Sequence, residues 1–149
     1  MKKFMQKKLK DQKGMTLIEL LAVIVIIAII AAIAIPAIGN IIENSRYSAV
    51  KSDATNVISA ANIYFTDNSA ETSVDTETLI SEGFLDSPGK LSSAKDKTVV
   101  NNANPLTITT ADPVIYSGAK TLTLTGATVN GITSDPQKGS DTGNRSISN

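Results

Sequence analysis

A long apolar stretch near the N-terminus dominates the hydrophobic pattern of this chain. Within residues 17–42 the only strongly polar side chains are those of Glu19 and Asn40. A helix of these 26 residues, at about 1.5 Å per residue, is long enough to cross a hydrocarbon layer of about 30 Å. Pro36 and Gly39 predict a helix break or kink near the end of the stretch. An ionised carboxylate at the centre of a bilayer costs about 2.5 to 3.5 kcal/mol, so Glu19 is predicted to be functional and to meet a cation.

A second pattern, an amphipathic stripe, continues the helix beyond the apolar stretch. Apolar residues recur at positions i, i+4, i+7, i+8, i+11, i+14 and i+15, the spacing of one helix face. These residues are Val50, Ala54, Val57, Ile58, Ala61, Tyr64 and Phe65. The sequence Asp67-Asn68-Ser69 is predicted to end the helix. Residues 43–66 are therefore interpreted as an amphipathic half that supports a globular head formed by residues 67–133.

The head is predicted to contain one short helix and an antiparallel sheet. The segment Thr76–Leu85 has a threonine cap, acidic residues in its first turn and a glycine stop, which favours a two-turn helix. Five later runs favour strands, and in the fourth the leucines are predicted to face inward and the threonines outward. The runs are Lys97 to Asn101, Leu106 to Thr110, Val114 to Ser117, Thr121 to Thr125 and Thr128 to Ile132. An antiparallel β-meander packed on the helical stripe gives an α+β fold, and residues 134–149 are predicted to form a mobile tail.

Charged residues flank the apolar stretch asymmetrically. The first 14 residues contain six lysines and one aspartate, a net charge of +5. The positive-inside rule places this end in the cytoplasm and the residues after Asn40 outside. A secretory signal peptide has a shorter apolar core, of about 7 to 15 residues, before a small-residue cleavage site. Two cleavage positions remain open, one within the small residues Ala31 to Ala34 and one after Gly14, and only the second would leave the membrane helix on the protein.

The junction Gly14-Met15-Thr16-Leu17-Ile18-Glu19 resembles the class III leader junction of type IV pilins and their pseudopilin relatives. The resemblance covers about residues 1 to 45, and Met15 stands where phenylalanine is commonest. It implies that a prepilin peptidase cuts after Gly14 and methylates the new N-terminus at Met15. It also implies that Glu19, in an assembly segment with Thr16 and Leu17, pairs with the terminal amine of a neighbouring subunit. In this family a proline at the place of Pro36 marks a stretch that loses helicity in the filament.

Composition favours an exported protein that is not an enzyme. The chain has no histidine or cysteine, so the usual zinc sites and Cys/His nucleophiles are absent from its sequence. Without the leader, 8 basic and 13 acidic residues remain, a net charge of −5 that gives no general attraction to nucleic acid. No cofactor or metal is therefore predicted.

Three weaker patterns could indicate functional sites, but each also has an ordinary structural explanation. Asp112, Asp135 and Asp141 could gather around calcium, but the sequence lacks a dense ligand pattern and favours solvated loop acids. The same holds for a basic cluster of Lys90, Lys95 and Lys97, and for a glycosylation sequon at Asn144-Arg145-Ser146 that short sequences produce by chance.

The sequence thus predicts five segments and a role in filament assembly. The segments are a cleaved cytoplasmic leader (1–14), a transmembrane and assembly helix (15–42), its amphipathic half (43–66), the head (67–133) and the tail (134–149). The function expected from the resemblance is that of a pilin polymerised through its N-terminal helix. Its partners would be the peptidase and methyltransferase, other pilins and minor pilins, and an assembly platform with its ATPase. A pseudopilin of a type II secretion or DNA-uptake machine, or a monomeric membrane-anchored surface protein, remains the alternative. Adhesion, twitching motility and competence are all compatible with these residues.

Overall fold

The structure is a computed structural model that describes residues 2–93 and 98–149, with side chains described for residues 16–91 and 98–149. The chain divides into two compact units, Met1–Gly39 and Asn40–Asn149. Helix α1, Lys2–Asp67, begins in the first unit and ends in the second. The two units are described separately below.

The first unit presents an apolar helix surface. Its large apolar side chains from Leu17 to Ile38 are 50–70% exposed. Among the described residues, α1 is the one helix long and apolar enough to cross a membrane, with a mean hydropathy of 3.2 over its most apolar 18 residues. The helix is continuous through Pro36 and Gly39, so the predicted break is absent from its secondary structure in the isolated chain. Proline's fixed φ is compatible with a helix, although it removes one backbone hydrogen bond and its ring crowds the carbonyl of the preceding turn. Loss of helicity on assembly stays a prediction.

The second unit is built on the predicted helical stripe. Every member of the stripe is 7% exposed or less, and Tyr47 and Ala60 are buried with it. Helix α1 ends at Asp67, as the sequence predicted. Helix α2, Thr76–Ser81, is shorter than the predicted segment, and its N-cap is Asp75 and not Thr76. The Asp75 carboxylate accepts a hydrogen bond from the Thr78 backbone N–H at 2.8 Å and so satisfies one donor of the first turn.

Two three-stranded sheets cover the stripe. Strands β1 (Ser73–Asp75), β2 (Val99–Asn101) and β3 (Thr107–Thr109) form an antiparallel sheet in that order. Strands β4 (Val114–Ser117), β5 (Lys120–Thr125) and β6 (Arg145–Ser148) form the other, in which β5 and β6 are parallel. An isolated bridge between Ile108 and Ala127 joins the sheets beside β3 and β5. The α+β pilin-like architecture is confirmed, but the β layer is two sheets, one of them mixed, instead of a single antiparallel meander.

Most of the predicted strands are present. The run 114–117 is β4 and the run 106–110 contains β3. In β5 the predicted alternation is confirmed, because Leu122 and Leu124 are fully buried while the threonines between and beside them are more exposed. The run 97–101 contains β2, although its first residue, Lys97, lies outside the described residues. The sequence analysis missed β1 and a short 3₁₀ helix, Gly89–Ser93.

Two predictions near the C-terminus are wrong. Residues 128–132, which favour a strand by composition, begin helix α3, Val129–Ser134. The Thr128 hydroxyl accepts a hydrogen bond from the Gly131 backbone N–H at 3.1 Å, so a local N-cap outweighs the β propensity. The supposed mobile tail, 134–149, contains β6, whose one apolar residue, Ile147, is 4% exposed. This polar segment is ordered because β6 pairs with β5, a contact that its composition does not indicate.

Candidate functional site

Glu19 lies on the exposed surface of the first unit among apolar side chains. Its neighbours Leu17, Ile18, Leu20 and Leu21 are 61–68% exposed. Glu19 is the one charged residue in the sequence from Thr16 to Ile42. A carboxylate with such neighbours loses its water whenever the apolar surface is covered by lipid or protein, so covering it favours pairing with a cation.

The predicted cleavage residues lie one helical turn before Glu19. Residues three and four apart share a helix face, so α1 places position 15 on the same face as Glu19. Gly14 and Met15 themselves are outside the residues whose side chains are described. Thr16 and Leu17, the other predicted assembly residues, are described and exposed. The roles of these residues in cleavage, methylation and assembly stay predictions.

A polar cluster in the second unit was not predicted from the sequence. The Asp135 side chain is only 5% exposed. Its carboxylate accepts hydrogen bonds from the Tyr47 hydroxyl at 2.5 Å, from the Lys51 ammonium at 3.3 Å and from the Gln137 amide at 3.0 Å. Burial works to raise the pKa of Asp135, but the hydrogen bonds from Tyr47 and Gln137 and the charge of Lys51 outweigh it and lower that pKa. Burial, together with the hydrogen bond to Asp135, raises the pKa of Tyr47.

A second polar contact lies one turn earlier on α1. The Lys120 ammonium contacts the Glu43 carboxylate at 2.7 Å and donates to the carbonyl oxygens of Gly139 and Ser140 at 3.2 and 3.1 Å. The Ser140 backbone N–H donates to the Asn44 side chain at 2.9 Å. Glu43, Tyr47 and Lys51 are spaced by four residues, so a single face of α1 carries both contacts. That spacing is the one signal in the sequence that could have indicated these two polar contacts.

The other candidate residues of the second unit are not gathered into a site. Asp135 is occupied by protein donors, Asp141 accepts from the Lys138 backbone N–H at 3.1 Å, and Asp112 is exposed. Across the part of the chain that the structure describes, no three potential metal ligands lie together. Of the basic cluster, Lys90 is exposed, whereas Lys95 and Lys97 lie outside the described residues. Asn144 of the sequon is exposed.

Comparison with known proteins gives one match, and it falls on the N-terminal segment. Residues 9–35 match a family described as the prokaryotic N-terminal methylation motif. Neither a curated protein nor a solved structure matches the chain significantly. The matched motif is that of a structural family and not of an enzyme family, and it implies processing by a prepilin peptidase and assembly with other pilins. Within those residues the motif is characteristic of the class III leaders of type IV pilins and pseudopilins.

Proposed function

We propose that this chain is a structural subunit of a type IV pilus, made as a membrane-anchored prepilin, cut after Gly14 and polymerised through its N-terminal helix. The observation that carries the proposal is Glu19, a single carboxylate on an exposed apolar helix within the matched segment 9–35. A plain membrane anchor has no use for this charge, because it only adds to the cost of insertion.

In the proposed mechanism, the apolar surface of the N-terminal helix exchanges contacts with lipid for contacts with other subunits. In the bilayer, lipid covers the side chains of residues 15–42, and in the filament other copies of the same helix cover them. The partner of Glu19 in the filament is the terminal amine of Met15 on a neighbouring copy. A buried charge that lacks its partner is strongly destabilising, at about 3–5 kcal/mol. Only subunits at the right axial offset form the pair, so the pair sets the register of assembly.

The charges of the leader define the orientation before assembly. Its six lysines hold the N-terminus in the cytoplasm, where a prepilin peptidase and methyltransferase acts on Gly14 and Met15. The second unit then lies outside the membrane, and the assembled subunit belongs to an extracellular pilus. Other copies of this chain, minor pilins, an assembly platform and its ATPase are the proposed partners.

Glu19→Gln tests the charge pair, because it keeps the shape of the side chain and removes only its charge. We expect membrane insertion to persist and filaments to be lost or strongly reduced in electron micrographs of sheared cell-surface material. Glu71→Gln is the matched control, since Glu71 is exposed and far from the apolar segment in sequence. Normal fibres from Glu19→Gln cells would rule out the paired-charge mechanism.

Processing is tested separately by Gly14→Val. A side chain at this position should obstruct the extended substrate in the protease cleft, so full-length protein should remain in the membrane. Mass spectrometry of the wild-type surface protein should give a chain that starts at Met15. A start near Ala34, or an intact leader, contradicts the assignment. Correct processing without long fibres would favour the alternative role, a pseudopilin of a secretion or DNA-uptake machine.

A further inference from the structure

The last part of the second unit lies along the stretch of α1 from Asn44 to Lys51. Asp135 meets Tyr47 and Lys51, and Ser140 meets Asn44, so the segment follows the helix towards its N-terminal end. It then returns as β6 beside β5. We infer that residues 135–148, here called the C-terminal clasp, form a separable latch that opens as one unit while the rest of the second unit stays folded.

The clasp contributes little to the apolar core. Among the residues whose side chains are described, 21 buried apolar side chains form the core, and of these only Ile147 belongs to the clasp. The others come from α1, α2, α3, the remaining strands and their connections. Opening the clasp therefore leaves almost the whole core in place, which is the property that separates a local opening from global unfolding.

The strand of the clasp occupies an edge. In the sheet β4-β5-β6, β6 pairs only with β5, whereas β5 is also paired with β4. The Thr110 backbone N–H donates to the Leu124 carbonyl oxygen at 2.9 Å, so β5 is also tied to the end of β3. Removal of β6 thus breaks one ladder and leaves the other connections of β5 intact.

Polar contacts hold the clasp closed. Lys120, on β5, bonds to Glu43 on α1 and to two carbonyl oxygens of the clasp, and the Tyr116 hydroxyl donates to the Gly139 carbonyl oxygen at 3.2 Å. Within the clasp itself, the Gln137 amide donates to the Ser146 carbonyl oxygen at 3.1 Å and so joins the first part of the segment to β6. The contacts of Lys120 are only partly buried, whereas the bond from Tyr116 to Gly139 is buried. All of them are directional polar contacts, which can open and reform while the apolar side chains of the other elements stay packed.

Gly139 is the position where the clasp comes closest to α1. It is buried, and a Cβ placed there would overlap the Glu43 carbonyl oxygen and lie 2.6 Å from the Cβ of Tyr47. Helix backbone cannot move aside for a methyl group as a flexible side chain can. Alanine at this position therefore holds the clasp away from the helix, and Tyr47 is the one core side chain among its three nearest contacts. Opening exposes the face of α1 from Glu43 to Lys51 and the free edge of β5, a surface able to pair with another strand.

The test is amide hydrogen exchange, read by mass spectrometry, on the full chain in dodecyl maltoside micelles. In the wild type, peptides that cover 145–148 should exchange faster than peptides that cover 99–109. Gly139→Ala should accelerate exchange in 145–148 by about tenfold or more, the effect of a shift of about 1.4 kcal/mol in the opening equilibrium. Exchange in 99–109 should change less than about twofold.

Gly131→Ala is the matched control, because a Cβ there makes only ordinary contacts, with the hydroxyl of the N-cap Thr128 at 3.4 Å and with the Ser148 carbonyl oxygen of the clasp at 3.9 Å. It should leave both segments unchanged. Lys120→Met, which keeps the length of the side chain and removes its ammonium, should reproduce the selective acceleration if Gly139→Ala does not fold. Equal acceleration of both segments, or none in 145–148, overturns the inference.

Discussion

Replacing Tyr47 with phenylalanine removes one hydrogen bond and keeps the packing of the ring. The ring lies 5.3 Å from that of Tyr116 and 5.5 Å from the Lys51 ammonium, and both contacts survive the substitution. What is lost is the bond from the hydroxyl to the Asp135 carboxylate, whose side chain is only 5% exposed. Tyr47→Phe therefore measures how much one donor stabilises a buried carboxylate.

The geometry sets the expected size of the effect. At 2.5 Å the bond belongs to the short, charge-assisted class, and bonds to charged groups contribute about 1.5–3 kcal/mol. Lys51 and Gln137 still donate to Asp135 in the variant, so we expect a loss of about 2 kcal/mol in the free energy of unfolding at pH 7. Tyr64→Phe is the matched control. The structure gives the Tyr64 hydroxyl no hydrogen-bond partner among the described residues, and its loss should cost less than about 0.5 kcal/mol.

The dependence on pH gives a second, independent signature. The unfolded pKa of an aspartate is about 3.9, and that of Asp135 is lowered in the folded protein. Asp135 therefore stabilises the fold above about pH 4, and this contribution is lost as the pH falls through the lower folded-state value. Tyr47→Phe removes one cause of the lowered pKa, so the variant should lose less stability on acidification than the wild type.

Urea unfolding of the full chain in micelles, followed by far-ultraviolet circular dichroism at a series of pH values, measures both effects. If Tyr47→Phe is as stable as the wild type at pH 7, the strength assigned to the hydrogen bond between Tyr47 and Asp135 is refuted. An unchanged acid dependence would show that the bond does not set the pKa of Asp135.

Three further predictions concern the second unit. Val57→Asp places an unpaired charge at a fully buried position and should abolish the cooperative transition in circular dichroism, whereas Val57→Ala should lose only about 1–3 kcal/mol. Asp75→Ala removes the N-cap of α2 and should cost about 1 kcal/mol in urea unfolding. The fragment Asn40–Asn149 contains the complete core, so it should be soluble, monomeric and cooperatively folded. A featureless spectrum of this fragment would mean that its fold depends on neighbours in the filament.

The features that the sequence predicted well have a local physical origin. A helix that buries one face repeats apolar residues every three or four positions, and the buried stripe from Val50 to Phe65 follows this rule directly. Leu122 and Leu124 follow the corresponding rule for a strand with one buried face. The segment around Gly14 and Glu19 was recognisable for a different reason, because it carries the residue pattern of the motif that matches residues 9–35.

The features that the sequence did not predict depend on distant partners. Residues 128–132 have the composition of a strand, and only the cap that Thr128 provides to Gly131 turns them into the start of α3. Asp135 is separated from Tyr47 by 88 residues, and nothing in its polar surroundings indicates burial. Ile147 is a single apolar residue in a segment rich in Ser, Asp and Asn, so its burial depends on β5, more than 20 residues earlier.

The residues that we propose for assembly and the residues that stabilise the fold are different ones. Glu19 and its apolar neighbours belong to the first unit, where large apolar side chains are exposed in the isolated chain. Tyr47, Asp135 and the buried stripe belong to the second unit, where burial and hydrogen bonding are already complete within one chain. Substitutions at positions that share no partner add in their effects. A change at Glu19 should therefore alter filament formation at constant stability of the second unit, and Tyr47→Phe should lower that stability with the Glu19 charge pair left intact.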